Sequence, residues 1–188
     1  MAIAEEFDPE APVIEAIRSG DRFAYEEFFR RQNRWVRGVV FAALGDTNRV
    51  DDVAQQVWAT VWDRISDLRD SRRWRPWLYR LAYHAAIDSG RDVTRRRRLK
   101  KEYSQQSDLR RPARTPEGRL IGSELHEAVL EAIAGLPALY REPFVLRHLN
   151  QWNCREIAEV MGMPIDTVET RLVRARRLLR ESLKGKIE

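Results

Sequence analysis

Asp166, Thr167, Glu169, Thr170, Val173, Arg174 and Arg177 fall on one side of a helical wheel, with Arg171 at its margin. None of them is a nucleophile set beside a base. Their chemistry is recognition: guanidinium groups grip phosphates or the acceptor edge of guanine, threonine hydroxyls bond either, and valine meets a thymine methyl. The other side of this stretch carries Val168, Leu172, Ala175 and Leu179, so an amphipathic helix would turn the polar face outward. Ile157, Ala158 and Met161 precede it at helical spacing, followed by Gly162, Met163 and Pro164. Ala158 suits a close helix crossing and Gly162 a left-handed turn, so Asn153 to Arg180 reads as a helix-turn-helix. A helical hairpin with a solvated face would show the same pattern by itself.

A second group mixes aromatic and basic residues: Trp74, Arg75, Pro76, Trp77, Leu78, Tyr79 and Arg80, then Asp88 and Arg91. Aromatic rings stack on unpaired bases and cations hold the backbone, a combination suited to single-stranded DNA. Trp77, Leu78 and Leu81 also have the spacing of a core face.

The elements that must position these residues are helices. Apolar residues recur three and four apart, and strand-like alternation is scarce. A first helical block is expected from about Val13 to Leu44, with Ile14, Ile17, Phe23, Phe28, Trp35, Val39 and Val40 facing inward, and a turn from Gly45 to Asn48. Val53, Val57, Val61 and Ile65 lie four apart, with Ala54, Trp58 and Trp62 widening the stripe and Asp52, Gln55, Gln56 and Asp63 opposite. Another helix starts near Trp74, where Pro76 falls in the first turn. The apolar spacing fails from about Thr94 to Thr115 and returns with Leu125, Val129, Ile133 and Leu136. The reading is an all-α chain of two small helical domains, 12–93 and 122–186, joined by a flexible basic linker over 94–121.

Composition narrows the function further. With 43% hydrophobic residues the chain can build real cores, and 34 Lys and Arg against 29 Asp and Glu give a net charge of +5. Acidic residues crowd the start and Arg95 to Lys101 the middle, an asymmetry that points to nucleic acid. Cys154 is the only cysteine, which excludes an internal disulfide and fits a reducing cytoplasm. No secretory signal or membrane-spanning run is recognisable, so no membrane insertion is expected. There is no phosphate-binding glycine loop and no nucleophile with its base, and His84, His126 and His148 lack ligand spacing. Neither an enzyme nor a cofactor is expected.

The order of the two signals resembles the extracytoplasmic-function sigma factors of the sigma-70 family, over nearly the whole chain. The matching stretches are DDVAQQVWATVWDRI from Asp51, WRPWLYRLAYHAAIDSGR from Trp74, and LPALYREPFVLRHLNQWNCREIAEVMGMPIDTVETRLVRARRLLRE from Leu136. The resemblance implies that Asp52, Gln55, Gln56 and Asp63 meet the clamp helices of core RNA polymerase. It implies that the Asp67 to Arg73 loop captures a flipped base of the minus-ten element, with Trp74, Arg75, Trp77, Arg80, His84, Asp88 and Arg91 along the melting DNA. Arg155, Thr167, Thr170, Arg171, Val173, Arg174 and Arg177 would read the minus-thirty-five duplex. The linker, with its Arg95 to Lys101 run, would thread toward the polymerase active-site channel, and an anti-sigma factor is implied as a further partner.

Four positions depart from the family pattern. Asp166 stands where a glycine is usual and Glu169 where a basic residue is, while His84 replaces an asparagine and Gln56 a glutamate. Two carboxylates facing phosphates are repulsive, unless Asp166 caps the helix and Glu169 bonds a base or turns away. A stand-alone transcriptional regulator, binding operators through the same helix-turn-helix, is the competing assignment.

Overall fold

The computed structural model describes residues 8–103 and 121–184, with side chains over 8–91 and 126–184. The described residues form helices α1 (Ala11–Arg18), α2 (Arg22–Leu44), α3 (Val50–Arg64), α4 (Trp74–Tyr103), α5 (Ile121–Ala134), α6 (Ala138–His148), α7 (Cys154–Met161) and α8 (Ile165–Leu183), with no strand among them. The all-helical architecture matches the sequence pattern.

Three local readings change. The block from Val13 to Leu44 is two helices, because Gly20 takes φ +92° and Asp21 then caps α2, accepting from the Phe23 and Ala24 N–H groups at 2.9 and 3.0 Å. Phe23, expected to face inward, is 68% exposed. It lies five residues before Phe28, roughly 140° around the helix from it. The third change is at the expected linker: α4 runs on past Thr94 to Tyr103. No glycine or proline follows Gly90 in that stretch, and Arg, Lys and Leu readily extend a helix already nucleated.

In the first half, α2, α3 and α4 pack around Phe28, which is fully buried with Trp58 and Trp74 edge-on at 5.9 and 5.2 Å. Val53, Val57, Val61, Leu78 and Ala82 fill the space between the helices. In the second half, Val145, Leu146, Ile157, Val168, Leu172 and Ala175 form the centre.

These two centres merge into one core. Trp35 of α2 stacks on Trp152 of the α6–α7 turn, with centroids 5.5 Å apart and planes 25° apart. Gln151 adopts φ +60° in that turn, reversing the chain so that Trp152 points inward and Asn153 begins the next helix. Beside the stack, Arg141 of α6 reaches the end of α2. Its guanidinium donates to the carbonyls of Ala42 at 2.7 Å and Ala43 at 3.1 Å, and to those of Ala134 and Leu136 at 2.9 Å. The carbonyl end of a helix attracts a cation, and these bonds satisfy Arg141 although it is 7% exposed. Gly45 is needed twice over. It ends α2 at φ +66°, and a β-carbon there would stand 2.5 Å from the Arg141 guanidinium. Gly38 likewise leaves room for Asn150.

Trp152→Ala and Arg141→Ala therefore separate the halves without dissolving either. Small-angle scattering should show the radius of gyration rising well above the roughly 16 Å of a compact chain this long. Arg141→Ala should also cost about 2–3 kcal/mol in urea unfolding through the loss of its charge-assisted hydrogen bonds. An unchanged radius in both variants would contradict this docking.

Candidate nucleic-acid interface

The helix-turn-helix is built as its residues require. Asn153 accepts from the Glu156 N–H at 3.0 Å and Glu156 returns the bond to the Asn153 N–H at 2.8 Å, a capping box that starts α7. Gly162 ends α7 at φ +63°, and the Met163 N–H closes onto the Ala158 carbonyl at 3.0 Å. Ala158 is buried where α7 meets α8. The N-cap of α8 is Pro164, not the aspartate: Asp166 lies within the first turn and caps nothing with its side chain, although its charge suits that end of the helix.

Val168, Leu172, Ala175 and Leu179 are buried, so the opposite face of α8 is open. Thr170, Val173, Arg174 and Arg177 are exposed there, Arg155 is exposed on α7, and Thr167 is half-buried. Arg177 lies 3.8 Å from Glu181, while Arg174 has no ion pair among the described residues. Arg171 departs from this face. It is half-buried and lines a groove between the two halves.

The aromatic-basic group separates into two sets. Trp74 does not belong to the surface: it is 2% exposed, and its indole N–H donates to Asp8 Oδ2 at 2.8 Å. Its position opposite Phe28 makes it a core residue, which spacing alone did not distinguish. Trp77 is half-buried, whereas Arg75, Arg80, His84, Asp88 and Arg91 are exposed along α4. Arg75 lies over the Trp74 ring and pairs with Glu156 of α7 at 3.3 Å. Asp88 and Arg91 stand 3.8 Å apart. The loop before α4 is pinned by buried Leu68 and by Asp70, which accepts from the Arg72 N–H at 3.1 Å. Arg72 holds the Asp70 carboxyl below the usual carboxylate range.

On α3, Asp52, Gln55, Gln56 and Asp63 form an exposed polar face. Trp62, expected in the buried stripe, is 38% exposed beside that face, with Tyr25 edge-on at 5.0 Å. The sequence held a signal for this, since Trp62 follows Gln55 by seven residues and so shares its side of the helix.

Comparison with known proteins decides what these surfaces belong to. The Sigma-70 region 2 model matches residues 28–98 and the Sigma-70, region 4 model residues 126–179. The chain is 26% identical over 183 residues to the ECF RNA polymerase sigma factor SigW of Bacillus subtilis (strain 168), covering 91% of this chain and 95% of that protein. It is 28% identical over 188 residues to the ECF RNA polymerase sigma-E factor of Haemophilus influenzae, covering 96% and 98%. The chain belongs to the extracytoplasmic-function sigma factors. Its fold is similar to that of CnrH, solved in complex with the cytosolic domain of CnrY, with TM-score 0.68 and 23% identity over 95% of this chain and 99% of that one. RpoE from Bartonella quintana, solved with the anti-sigma factor NepR, aligns with TM-score 0.60 and 19% identity over 85% and 96%.

In this sigma factor the region 2 and region 4 halves face each other across two clefts. One, of about 400 Å³, is lined by Asp8, Arg72, Arg73 and Arg75 on one side and Trp152, Glu156 and Glu159 on the other. The second, about 430 Å³, places Tyr79, Arg80, Tyr83 and His84 of α4 opposite Leu139, Glu142, Met163 and Arg171. Burial pushes the Glu142 carboxyl up to about 7, although Arg141 and Arg171 pull it down. The same burial, with Glu142 nearby, raises the Tyr79 and Tyr83 hydroxyls.

A carboxyl whose affinity for protons rises on folding stabilises the folded chain most below its unfolded value, near 4.5, and less as pH climbs through about 7. The urea midpoint of the sigma factor should therefore fall between about pH 5 and pH 8. Glu142→Gln should flatten that slope. An equal slope in wild type and variant would assign it to other groups.

Proposed function

We propose that the chain directs core RNA polymerase to promoters by two-point docking. The open arginine and threonine face of α8 holds the minus-thirty-five duplex, with Arg155 of α7 beside it. The exposed side of α4, with Arg75, Trp77, Arg80, His84, Asp88 and Arg91, and the Asp67 to Arg73 loop hold the melted minus-ten strand. Asp52, Gln55, Gln56 and Asp63 meet the polymerase clamp, and Trp62 adds an aromatic anchor at the edge of that polar patch. The observation that carries the proposal is the joining, in one chain, of an exposed cationic helix-turn-helix face to a separate exposed polar face on α3. A stand-alone regulator needs only the first. The work is binding and strand separation, with no covalent step, in the compartment where polymerase acts.

The docked arrangement of the halves is then the unbound one. The names of the two promoter elements place them about 25 base pairs apart, about 85 Å of duplex at about 3.4 Å per base pair. Here Arg80 and His84 of one reader share a groove with Arg171 of the other. One DNA molecule cannot engage both until the halves part, so polymerase binding has to supply more free energy than the Trp35–Trp152 and Arg141 contacts hold. The anti-sigma complex of its structural relative RpoE supports a comparable partner here, one that favours the closed or masked form.

The test mixes the protein with sigma-free bacterial core polymerase and scores open complexes on promoter fragments with a single-strand-specific probe. Asp52→Ala and Trp62→Ala should each weaken core binding about tenfold. Arg174→Ala should leave core binding intact and weaken promoter selection by a similar factor. If no polymerase complex forms while the protein alone shifts specific duplex DNA, the regulator assignment replaces this one.

A further inference from the structure

The first half of α8 carries side chains that folding does not account for. Glu169 is exposed, follows Asp166 by three residues, and makes no hydrogen bond or ion pair among the described residues. Two carboxylates at that spacing oppose helix formation slightly. One turn further on, Val173 is 62% exposed and contributes nothing to the core. Between them, the Thr170 hydroxyl donates its hydrogen to the Asp166 carbonyl at 2.8 Å, so in this rotamer it can only accept. Asp166, Glu169 and Thr170 thus form a cluster of acceptors on the open face. Arg171 is turned into the groove, and the first outward cations of α8 are Arg174 and Arg177.

Such a cluster repels phosphates, so its favourable partners in a major groove are the amino groups of the bases. Cytosine N4 and adenine N6 are the only ones displayed there. Adenine sets its amino group beside the N7 acceptor, a pair best matched by an amide that donates and accepts together. An ionised carboxylate only accepts, and matches cytosine. Val173 lies four residues on along the same strip, placed for a thymine methyl. Resting on the reading of α8 as the upstream duplex reader, we infer that Glu169 is a specificity residue selecting a cytosine in that element, with Val173 favouring a thymine beside it. The half of the element that faces the start of α8 is therefore read by acceptors, and the half that faces Arg174 and Arg177 by donors.

The test uses full-length protein assembled with bacterial core polymerase to select fragments from a pool randomised over the upstream duplex. Wild type should enrich cytosine at one position about tenfold over the other bases. Glu169→Gln should move the preference at that position to adenine, and Glu169→Ala should abolish it while leaving positions sensitive to Arg174→Ala unchanged. Glu169 is exposed, so neither substitution disturbs the fold. If all three proteins enrich the same bases, or if Glu169→Ala merely tightens binding to every fragment, the carboxylate reads nothing and the inference is overturned while α8 remains the reader. If wild type enriches no upstream sequence although it binds core polymerase, the reading of α8 itself fails and this inference with it.

Discussion

The last turn of α2 ends in carbonyl groups that no helical N–H can reach, and Arg141, brought in from α6, supplies the hydrogens to Ala42 and Ala43 while also bonding Ala134 and Leu136. Removing this guanidinium from water is tolerable because four acceptors and a helix terminus receive it. The surrounding features depend on that insertion. Gly45 has to lack a side chain, α6 has to lie along α2, and Trp152 is thereby delivered onto Trp35. Each half alone is small, and small domains expose a large share of their apolar surface. Joining them buries both indoles and gives the chain a single centre.

That joining also sets the electrostatics of the recognition surfaces. Arg75 is held by Glu156, Arg171 is drawn beside Glu142, and Glu142 is buried deeply enough to keep its proton well above the usual range. The Arg75–Glu156 pair is not strong, since both members keep at least a third of their side-chain surface in solvent. Weak pairing suits surfaces that must exchange one partner for another. The firm contacts are concentrated at Arg141 and the tryptophan stack, away from the outward face of α8. The halves can therefore part without disturbing the outward face of α8.

The exposed faces of α8 and α3 are built differently. On α8, long cationic side chains and an uncovered valine project from a helix whose other side is locked by Val168, Leu172 and Ala175, so the face is held rigidly. On α3, short polar side chains flank a half-exposed indole, so this face offers hydrogen-bonding groups and an aromatic surface instead of cations. The two faces lie on different helices and share no residue.

Helical periodicity determined a great deal by itself: the all-helical class, the inward faces of α3 and α8, the left-handed turn at Gly162 and the outward position of Arg174 all follow from spacing within one element. Those properties are local, so the sequence carries them directly. Tertiary structure alone decided that Trp74 is a core residue and not part of an open face. Trp74 stands four residues before buried Leu78, and the approach of Phe28 and Asp8 encloses it. The same holds for Arg141, which no sequence pattern singles out and whose partners on α2 lie about a hundred residues away. Its role exists only because α6 crosses the end of α2, and no pattern along either helix encodes where two helices will meet.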